Sequence, residues 1–444
     1  MRIRILACVL ANCVVVSCAL TGGASAPSLG WEPLFDGKTL DGWVEAGGRY
    51  DGAASWSVED GCITGQEGTN RAGGLIYTAN YYRNFAFKCD VWMSYPFDSG
   101  IFLRMVPRPG DKGAQVTLDH RPNGEIAGIY SDGWLLHNKE IRAKYKRDQW
   151  NHFEVRCRGS DMHIEVWMNG DKVTDYRLPK GSKGYAPAGR IGLQVHGDRA
   201  EPGGSKVRFK GLYIRELPEY DAAVFECDDF GFLRPTAAAR KAGWKPLFNG
   251  EDLSGWEPAG GTTGFTVRDG MIAVLKEGDA AYLRTKDDYR DFELRLDFKI
   301  EYMANSGLFL RGDRRGGDPA YSGCEVQILD DFSWETVAGY KLKPYQFSGG
   351  LYAAVPPGAK GLLSLGVWNT YEVLYQGSRI RVMLNGQTLY DVDTFKVELP
   401  EKNIKRFEDR VPTGFIGLQR HSGKAVRADV YAAFRNIYIR QLDQ

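Results

Sequence analysis

Clusters of basic charge, paired cysteines and long apolar runs are all scarce in this 444-residue sequence. Lysine and arginine total 57 against 56 aspartates and glutamates, so the formal net charge is +1. It falls to −1 if Arg2 and Arg4 are left out. Without a basic stripe, nucleic acid is not an expected partner. Histidines number only six, and His120, His137, His152 and His163 show no metal-ligand spacing. Eight cysteines are present, but Cys8, Cys13 and Cys18 sit at the extreme start, and Cys62, Cys89, Cys157, Cys227 and Cys324 form no CxxC pair. That excludes a zinc ribbon or a dithiol redox motif. Past the first twenty-odd residues no stretch offers eighteen uninterrupted apolar residues, so no membrane-crossing helix is expected in the body.

The start has its own character. Arg2 and Arg4 precede an apolar run from Ile5 to Leu20, the pattern of a targeting segment, taken here as residues 1–26. Two exits are open. Val15-Val16-Ser17-Cys18 resembles a lipobox that would lipidate Cys18, while Ala24-Ser25-Ala26 resembles an ordinary cleavage site followed by an unhelpful Pro27. Either predicts an exported protein: periplasmic, an outer-membrane lipoprotein or secreted. A lipid at Cys18 would be its one expected tie to a membrane.

What the sequence has in quantity is glycine, 54 residues, and aromatics at 12%. With little helical periodicity, this suits many short strands joined by tight turns. It also has a repeat. Trp31-Glu32-Pro33-Leu34-Phe35-Asp36-Gly37, with Asp41-Gly42-Trp43, returns as Trp244-Lys245-Pro246-Leu247-Phe248-Asn249-Gly250, with Ser254-Gly255-Trp256. Asp98-Ser99-Gly100-Ile101-Phe102-Leu103-Arg104 matches Asn305-Ser306-Gly307-Leu308-Phe309-Leu310-Arg311. Trp150-Asn151, Asn169-Gly170 and Gly192-Leu193-Gln194 with His196 match Trp368-Asn369, Asn385-Gly386 and Gly417-Leu418-Gln419 with His421. Landmarks in one order at drifting offsets indicate a duplicated domain with loop insertions. The expected division is residues 27–217 and 244–444, joined by a linker over 218–243 that holds a short helix. Aligning the copies sets Cys62, Cys89 and Cys157 opposite Met271, Leu296 and Tyr375, which favours buried hydrophobes over a disulfide framework. Strict alternation in Phe292 to Phe298, and in Arg379 to Leu384 before the Asn385-Gly386 turn, predicts an all-β fold of two antiparallel sandwiches in tandem.

Alternation also predicts which polar groups share a face. Asn305, Gly307, Phe309 and Arg311 are expected on one side of their strand, Glu325 and Gln327 on one side of the next, and Gln419 with His421 on a third. Any one such set is most simply a solvated sheet face. Trp244, Trp256 and Trp368 are more simply core than stacking platforms. The coincidence of an arginine, a Glu-x-Gln and a Gln-x-His on separate strands points instead to a polar hollow suited to sugar hydroxyls.

These landmarks resemble the 3-keto-disaccharide hydrolase domain family. The family's opening Leu-Phe-Asp-Gly-Lys-x-Leu-x-Gly-Trp stands at Leu34 to Trp43, its Asn-Ser-Gly-x-Phe-x-Arg at Asn305 to Arg311, and its Gly-x-Glu-x-Gln-Ile-x-Asp at Gly323 to Asp330. Its Gly-x-Tyr, Trp-Asn and Gly-x-Gln-x-His stand at Gly350 to Tyr352, Trp368-Asn369 and Gly417 to His421. The resemblance implies concanavalin A-like jelly rolls acting on glycosides whose sugar carries a ketone at carbon 3. Such a ketone acidifies the hydrogen at carbon 2, so a base can remove it, the aglycone leaves carbon 1, and water adds to the enone. On this reading Glu325 is the base, His421 the acid and Arg311 the stabiliser of the enolate. Asn305, Ser306, Gln327, Asp330, Tyr352 and Gln419 would hold substrate.

The first copy departs from the pattern. Asp98 replaces the asparagine, and Gln115 and Thr117 stand where Glu-x-Gln is expected. Arg104, Gln115, Gln194 and His196 would then bind sugar without cleaving it, unless Asp98 or Asp119 serves differently. Two further readings stay open. The protein could be a non-catalytic, lectin-like carbohydrate binder, and Asp330 could hold calcium as loop acids in such sandwiches do. Otherwise no cofactor is expected.

Overall fold

The computed structural model describes residues 31–442 apart from 49, 108–111, 160, 198–201, 229–230 and 422–425, so the targeting segment and Cys18 lie outside it. Every named strand pairing is antiparallel, and the sheets fall into two sandwiches. In the first, an eight-stranded sheet is built around Phe85–Met93, with Asn151–Arg158 on one side and Lys206–Glu216 on the other. A seven-stranded sheet faces it, running Trp134–Leu136, Ile126–Tyr130, Ala114–Asp119, Asp98–Met105, Arg190–Val195, Gly74–Thr78 and Trp43–Val44. The period of two explains the packing: Phe85, Phe87, Cys89, Val91 and Met93 are buried while Lys88, Asp90 and Trp92 are only half covered.

The second sandwich repeats the plan with one change. Its eight-stranded sheet centres on Phe292–Ile300 between Asn369–Gln376 and Val430–Gln441. The facing sheet has five strands: Trp256–Ala259, Tyr282–Thr285, Phe415–Gln419, Asn305–Gly312 and Cys324–Leu329. Where the first copy adds its two last strands, the second runs through a short helix, Trp334–Ala338, and a turn of 3-10 helix, Pro344–Gln346. Leu351 then bridges to Val326 along the sheet edge.

The repeated opening motif has the same use twice. The indole N–H of Trp43 donates to the carbonyl of Leu34, and that of Trp256 to the carbonyl of Leu247, each at 2.7 Å. A buried indole must find such an acceptor. Trp256 and Trp368 are core residues at 3% and 7% exposure, so neither is a stacking platform. The five described cysteines are all free thiols; Cys227 is half-buried and the rest are buried.

Between the sandwiches lie a two-stranded hairpin, Phe225–Cys227 with Leu233–Pro235, and a helix over Ala237–Lys241 capped by the Thr236 side chain. The two halves touch. Arg83 of the first pairs with Glu219, and its guanidinium reaches the carbonyl of Asn385 in the second at 3.4 Å. Lys299 meets Glu216 at 3.4 Å, and Arg295 donates to the Glu219 carbonyl at 2.5 Å. This contact explains where clean alternation fails as a guide to burial. Arg295 and Asp297, on the outward face of their strand, are 2% and 1% exposed because chain from 216–219 lies over them. Asp297 is satisfied by Arg295, Thr370 and Asn436, each at 2.7 Å.

Candidate functional site

Each five- or seven-stranded sheet carries a hollow on its outer side. The hollow of the second sandwich, about 280 Å³, is lined by Asn305, Asp318, Glu325, Gln327, Gln419 and His421, with a wall of Tyr321, Trp334, Tyr340 and Tyr352. The register brings the strands together: Phe309 sits across from Glu325, Gly307 from Gln327, and Leu308 from Leu418. Side chains two apart then project into one space.

The Asn-Ser-Gly run divides its labour residue by residue. Asn305 faces the hollow, and its side-chain oxygen has no hydrogen-bond partner among the described residues; the same holds for the side-chain oxygen of Gln419. Ser306 is fully buried and donates at 2.7 Å to the Gln419 carbonyl, tying two strands together. Gly307 leaves room for the Glu325 carboxyl, because a Cβ there would come within 1.9 Å of Oε1. The first copy is built alike. Ser99 donates to the Gln194 carbonyl at 2.7 Å, and a Cβ on Gly100 would fall 2.2 Å from the Gln115 amide.

Glu325 is the unusual group. It is 3% exposed, and burial, reinforced by the charge of Asp318, raises its pKa from the ordinary 4.5 to about 8. At neutral pH it therefore carries its proton most of the time, and when ionised it is a far stronger base than a surface carboxylate. His421, at the open side, is exposed. Gln327 lines the floor while its Oε1 accepts from the Ile328 amide at 3.2 Å. Tyr352 is held beside the strand by its own amide, which donates to the Glu325 carbonyl at 2.8 Å.

Four expected site residues lie elsewhere. Arg311 does not enter the hollow: Nε donates to the Arg290 carbonyl at 2.5 Å, Nη1 to the Gly377 carbonyl at 2.8 Å, and Nη2 to Asp291 at 2.9 Å. The guanidinium also covers the Tyr375 ring at 3.5 Å. Arg104 in the first copy makes the same clasp on the Arg83 and Gly159 carbonyls and on Asn84. The cause is a β-bulge. The register slips between Phe309 and Gly312, Arg311 takes φ +52°, and the extra residue turns the side chain away from the face that alternation predicts. Ser306 binds backbone rather than ligand. Asp330, fully buried, accepts from the amides of Met303, Phe332 and Ser333 at 2.9–3.0 Å, so its oxygens are committed to the loop and do not suit calcium or substrate.

The first hollow is larger, about 630 Å³. Gln115 donates to the Gln194 side chain at 2.9 Å, and Thr117 is bonded to Gly128. Arg121, which the sequence reading passed over, reaches Asp98 at 2.6 Å and Asp119 at 2.9 Å, and His196 lies 3.8 Å from Asp98. Carboxylate, guanidinium and imidazole thus meet in the first copy, whereas the second copy brings together carboxyl and imidazole alone. The missed signal was there: Asp98 and Asp119 face each other across the strand pair, and two opposed carboxylates call for a cation.

One other group of ligand-type atoms exists among the described residues: His163, Glu165 and Asp175, within 4.8 Å of one another. Lys172 already contacts both carboxylates, at 2.7 and 2.5 Å, and Arg158 pairs with Glu165 at 2.7 Å. Side chains supply the positive charge that a metal would bring.

Fold and hollows together define a tandem jelly-roll protein with a polar, sugar-sized concavity on each copy. The chain belongs to the family described as the 3-keto-alpha-glucoside-1,2-lyase-like domain, whose model matches residues 30–215 and 243–440. It is 26% identical over 243 residues to a 3-keto-disaccharide hydrolase of Bacteroides thetaiotaomicron, covering 45% of this chain and 79% of that protein. Two solved structures from Parabacteroides distasonis, each provisionally described as a glycosyl hydrolase, are also similar. One is 27% identical with a TM-score of 0.40, covering 47% of this chain and 99% of its own. The other is 31% identical with a TM-score of 0.38, covering 45% and 99%.

Proposed function

We propose that this is an exported, carbohydrate-active enzyme that cleaves 3-keto-glycosides, 3-keto-disaccharides among them, by elimination and hydration in its second sandwich. The observation that carries the reading is Glu325: a buried carboxyl with its pKa near 8, facing a hollow that it shares with Asp318, amides, an imidazole and tyrosine hydroxyls. Its carboxylate takes the proton from carbon 2. The electron pair of that C–H bond forms the enolate with the carbon-3 ketone. The enolate then re-forms the ketone, makes the carbon 1–carbon 2 double bond and expels the aglycone oxygen, which takes a proton from His421. Water adds at carbon 1, a proton returns to carbon 2, and 3-ketoglucose is released.

With Arg311 committed to backbone, the enolate oxygen is left to neutral donors. The amide N–H groups of Asn305 and Gln419 and the hydroxyl of Tyr352 line the same space and suit that task. The aromatic wall of Tyr321, Trp334 and Tyr340 suits a sugar face. The first copy has no buried carboxyl at the corresponding place, since Gln115 stands there, and on this reading it holds sugar without cleaving it.

The test is incubation with a chromogenic 3-keto-α-glucoside, following aglycone release against pH. With Glu325 as base and removal of the carbon-2 proton limiting the rate, kcat/KM rises about tenfold per pH unit up to about 8 and then levels. A rate that falls through that range assigns the carboxyl as acid instead. Sugar binding with no release at any pH favours the lectin-like alternative.

A further inference from the structure

The second hollow has two unlike ends, and the difference between them says what kind of aglycone it takes. Resting on the reading above that Glu325 takes the carbon-2 proton there, we propose that Trp334 and Tyr340 form the aglycone site and select a flat aromatic aglycone over a second sugar ring.

The strand register sets the ends apart. Phe309 faces Glu325 and Asn305 faces Leu329. Glu325 and Leu329 are therefore four residues apart on one strand, about 13 Å. The Glu325 end is crowded with hydroxyls: the Tyr352 ring meets those of Tyr321 and Tyr345 at 6.2 and 5.8 Å. Gln419 lies toward the other end, its carbonyl accepting from Ser306 at 2.7 Å, and the chain runs on from it to His421. With Glu325 on carbon 2 and His421 giving its proton to the leaving oxygen, carbon 1 points from the first end to the second. The aglycone then lies past Asn305 and Leu329, against Trp334, Tyr340 and Leu342.

That wall is fastened before any ligand arrives. The Trp334 amide donates to the Asp330 carbonyl at 3.2 Å, and the Asp330 carboxylate is itself gripped by three amides. The indole N–H holds the Tyr340 hydroxyl at 2.8 Å, and Glu335 holds the Leu342 amide at 2.9 Å. Two rings preset in this way cost little further ordering on binding. The wall that suits a sugar face suits an aromatic ring better at this end. The indole has one donor, already spent on Tyr340, and Leu329 and Leu342 add only apolar surface. Hydroxyls of a second pyranose would give up water there for few partners, whereas an aryl ring gains contact with the indole. Space points the same way. The hollow, about 280 Å³, lies just under the usual range for small-molecule sites, so a sugar with one thin, flat group fits it better than two sugar rings.

The experiment is calorimetric titration of the full chain with phenyl α-glucoside, methyl α-glucoside and the disaccharide maltose. None carries a ketone, so none is open to elimination and only binding is read. Phenyl α-glucoside should bind about tenfold or more tightly than either of the others. Trp334→Ala should abolish that gap while leaving methyl α-glucoside within about twofold, and Trp334→Phe, which keeps an aromatic face, should retain most of the gap. Trp134→Ala, in the wall of the first hollow and 41% exposed, should leave the gap intact and so assigns it to the second. Equal binding of phenyl α-glucoside and maltose, a gap that survives Trp334→Ala or vanishes in Trp134→Ala, or no binding of any of the three would each overturn the proposal. Failure of the chemistry assigned to Glu325 would show instead as absent aglycone release, with these affinities as expected.

Discussion

Replacing Glu325 by glutamine keeps the side chain's shape and removes its proton equilibrium, which allows the cost of its burial to be measured. The folded protein holds the Glu325 proton up to about pH 8, whereas an unfolded chain releases it near 4.5. Between those values the unfolded state binds fewer protons, so stability falls as pH rises, by about 1.4 kcal/mol per pH unit. The favourable neutral form is fully present below pH 4.5 and lost as pH passes 8. Carried across the whole interval, the penalty approaches about 5 kcal/mol, an upper figure because water entry and side-chain movement relieve part of it. Glutamine has no such penalty. Urea unfolding of both proteins at pH 5, 6.5 and 8.5 should show Glu325→Gln gaining about 2–5 kcal/mol on the native sequence from the lowest to the highest pH. Other buried acids such as Glu216 are common to both proteins and cancel in the difference. A constant difference across that range would mean that Glu325 titrates normally, and the base assignment would lose its physical ground.

Three further outcomes follow from the geometry. Gly307→Ala places a methyl group where the Glu325 carboxyl sits, 1.9 Å from Oε1, and should cut aglycone release by about a hundredfold with the sandwich still folded by circular dichroism. Arg311→Met should lower stability by about 3–5 kcal/mol in urea, through the stranded Asp291 and backbone carbonyls. The kcat of its folded fraction should stay within about twofold; a hundredfold loss at unchanged stability would return Arg311 to the chemistry. In a thiol-labelling experiment on residues 31–442, Cys227 should react first and the other four cysteines only after denaturant is added, because all are free and only Cys227 is less than buried.

How far the sequence could be read depended on whether strict alternation held. Duplication, the all-β class and the meeting of Glu325, Gln327, Gln419 and His421 follow from period-two patterning on strands that pair in register, and these were legible. Arg311 was misread because one extra residue at a bulge reverses a side chain, and nothing in Asn305 to Arg311 marks the slip. Asp330 was misread because a carboxylate that ends a strand and a carboxylate that binds a ligand look the same until three amides are seen pointing at it. The wall residues Trp334 and Tyr340 come from a short helix and loop with no period to read, and they find the hollow through the indole donating to the Tyr340 hydroxyl at 2.8 Å. Burial of Arg295 and Asp297 depended on the packing of one half on the other, which local pattern does not encode.

The central claim is that a proton is taken from carbon 2 by Glu325. The direct measurement is the rate of aglycone release from a 3-keto-α-glucoside by the full chain and by Glu325→Gln at pH 8, with folding of both verified. The account predicts a loss of about a hundredfold to ten-thousandfold in kcat. Equal rates in the two proteins would contradict it.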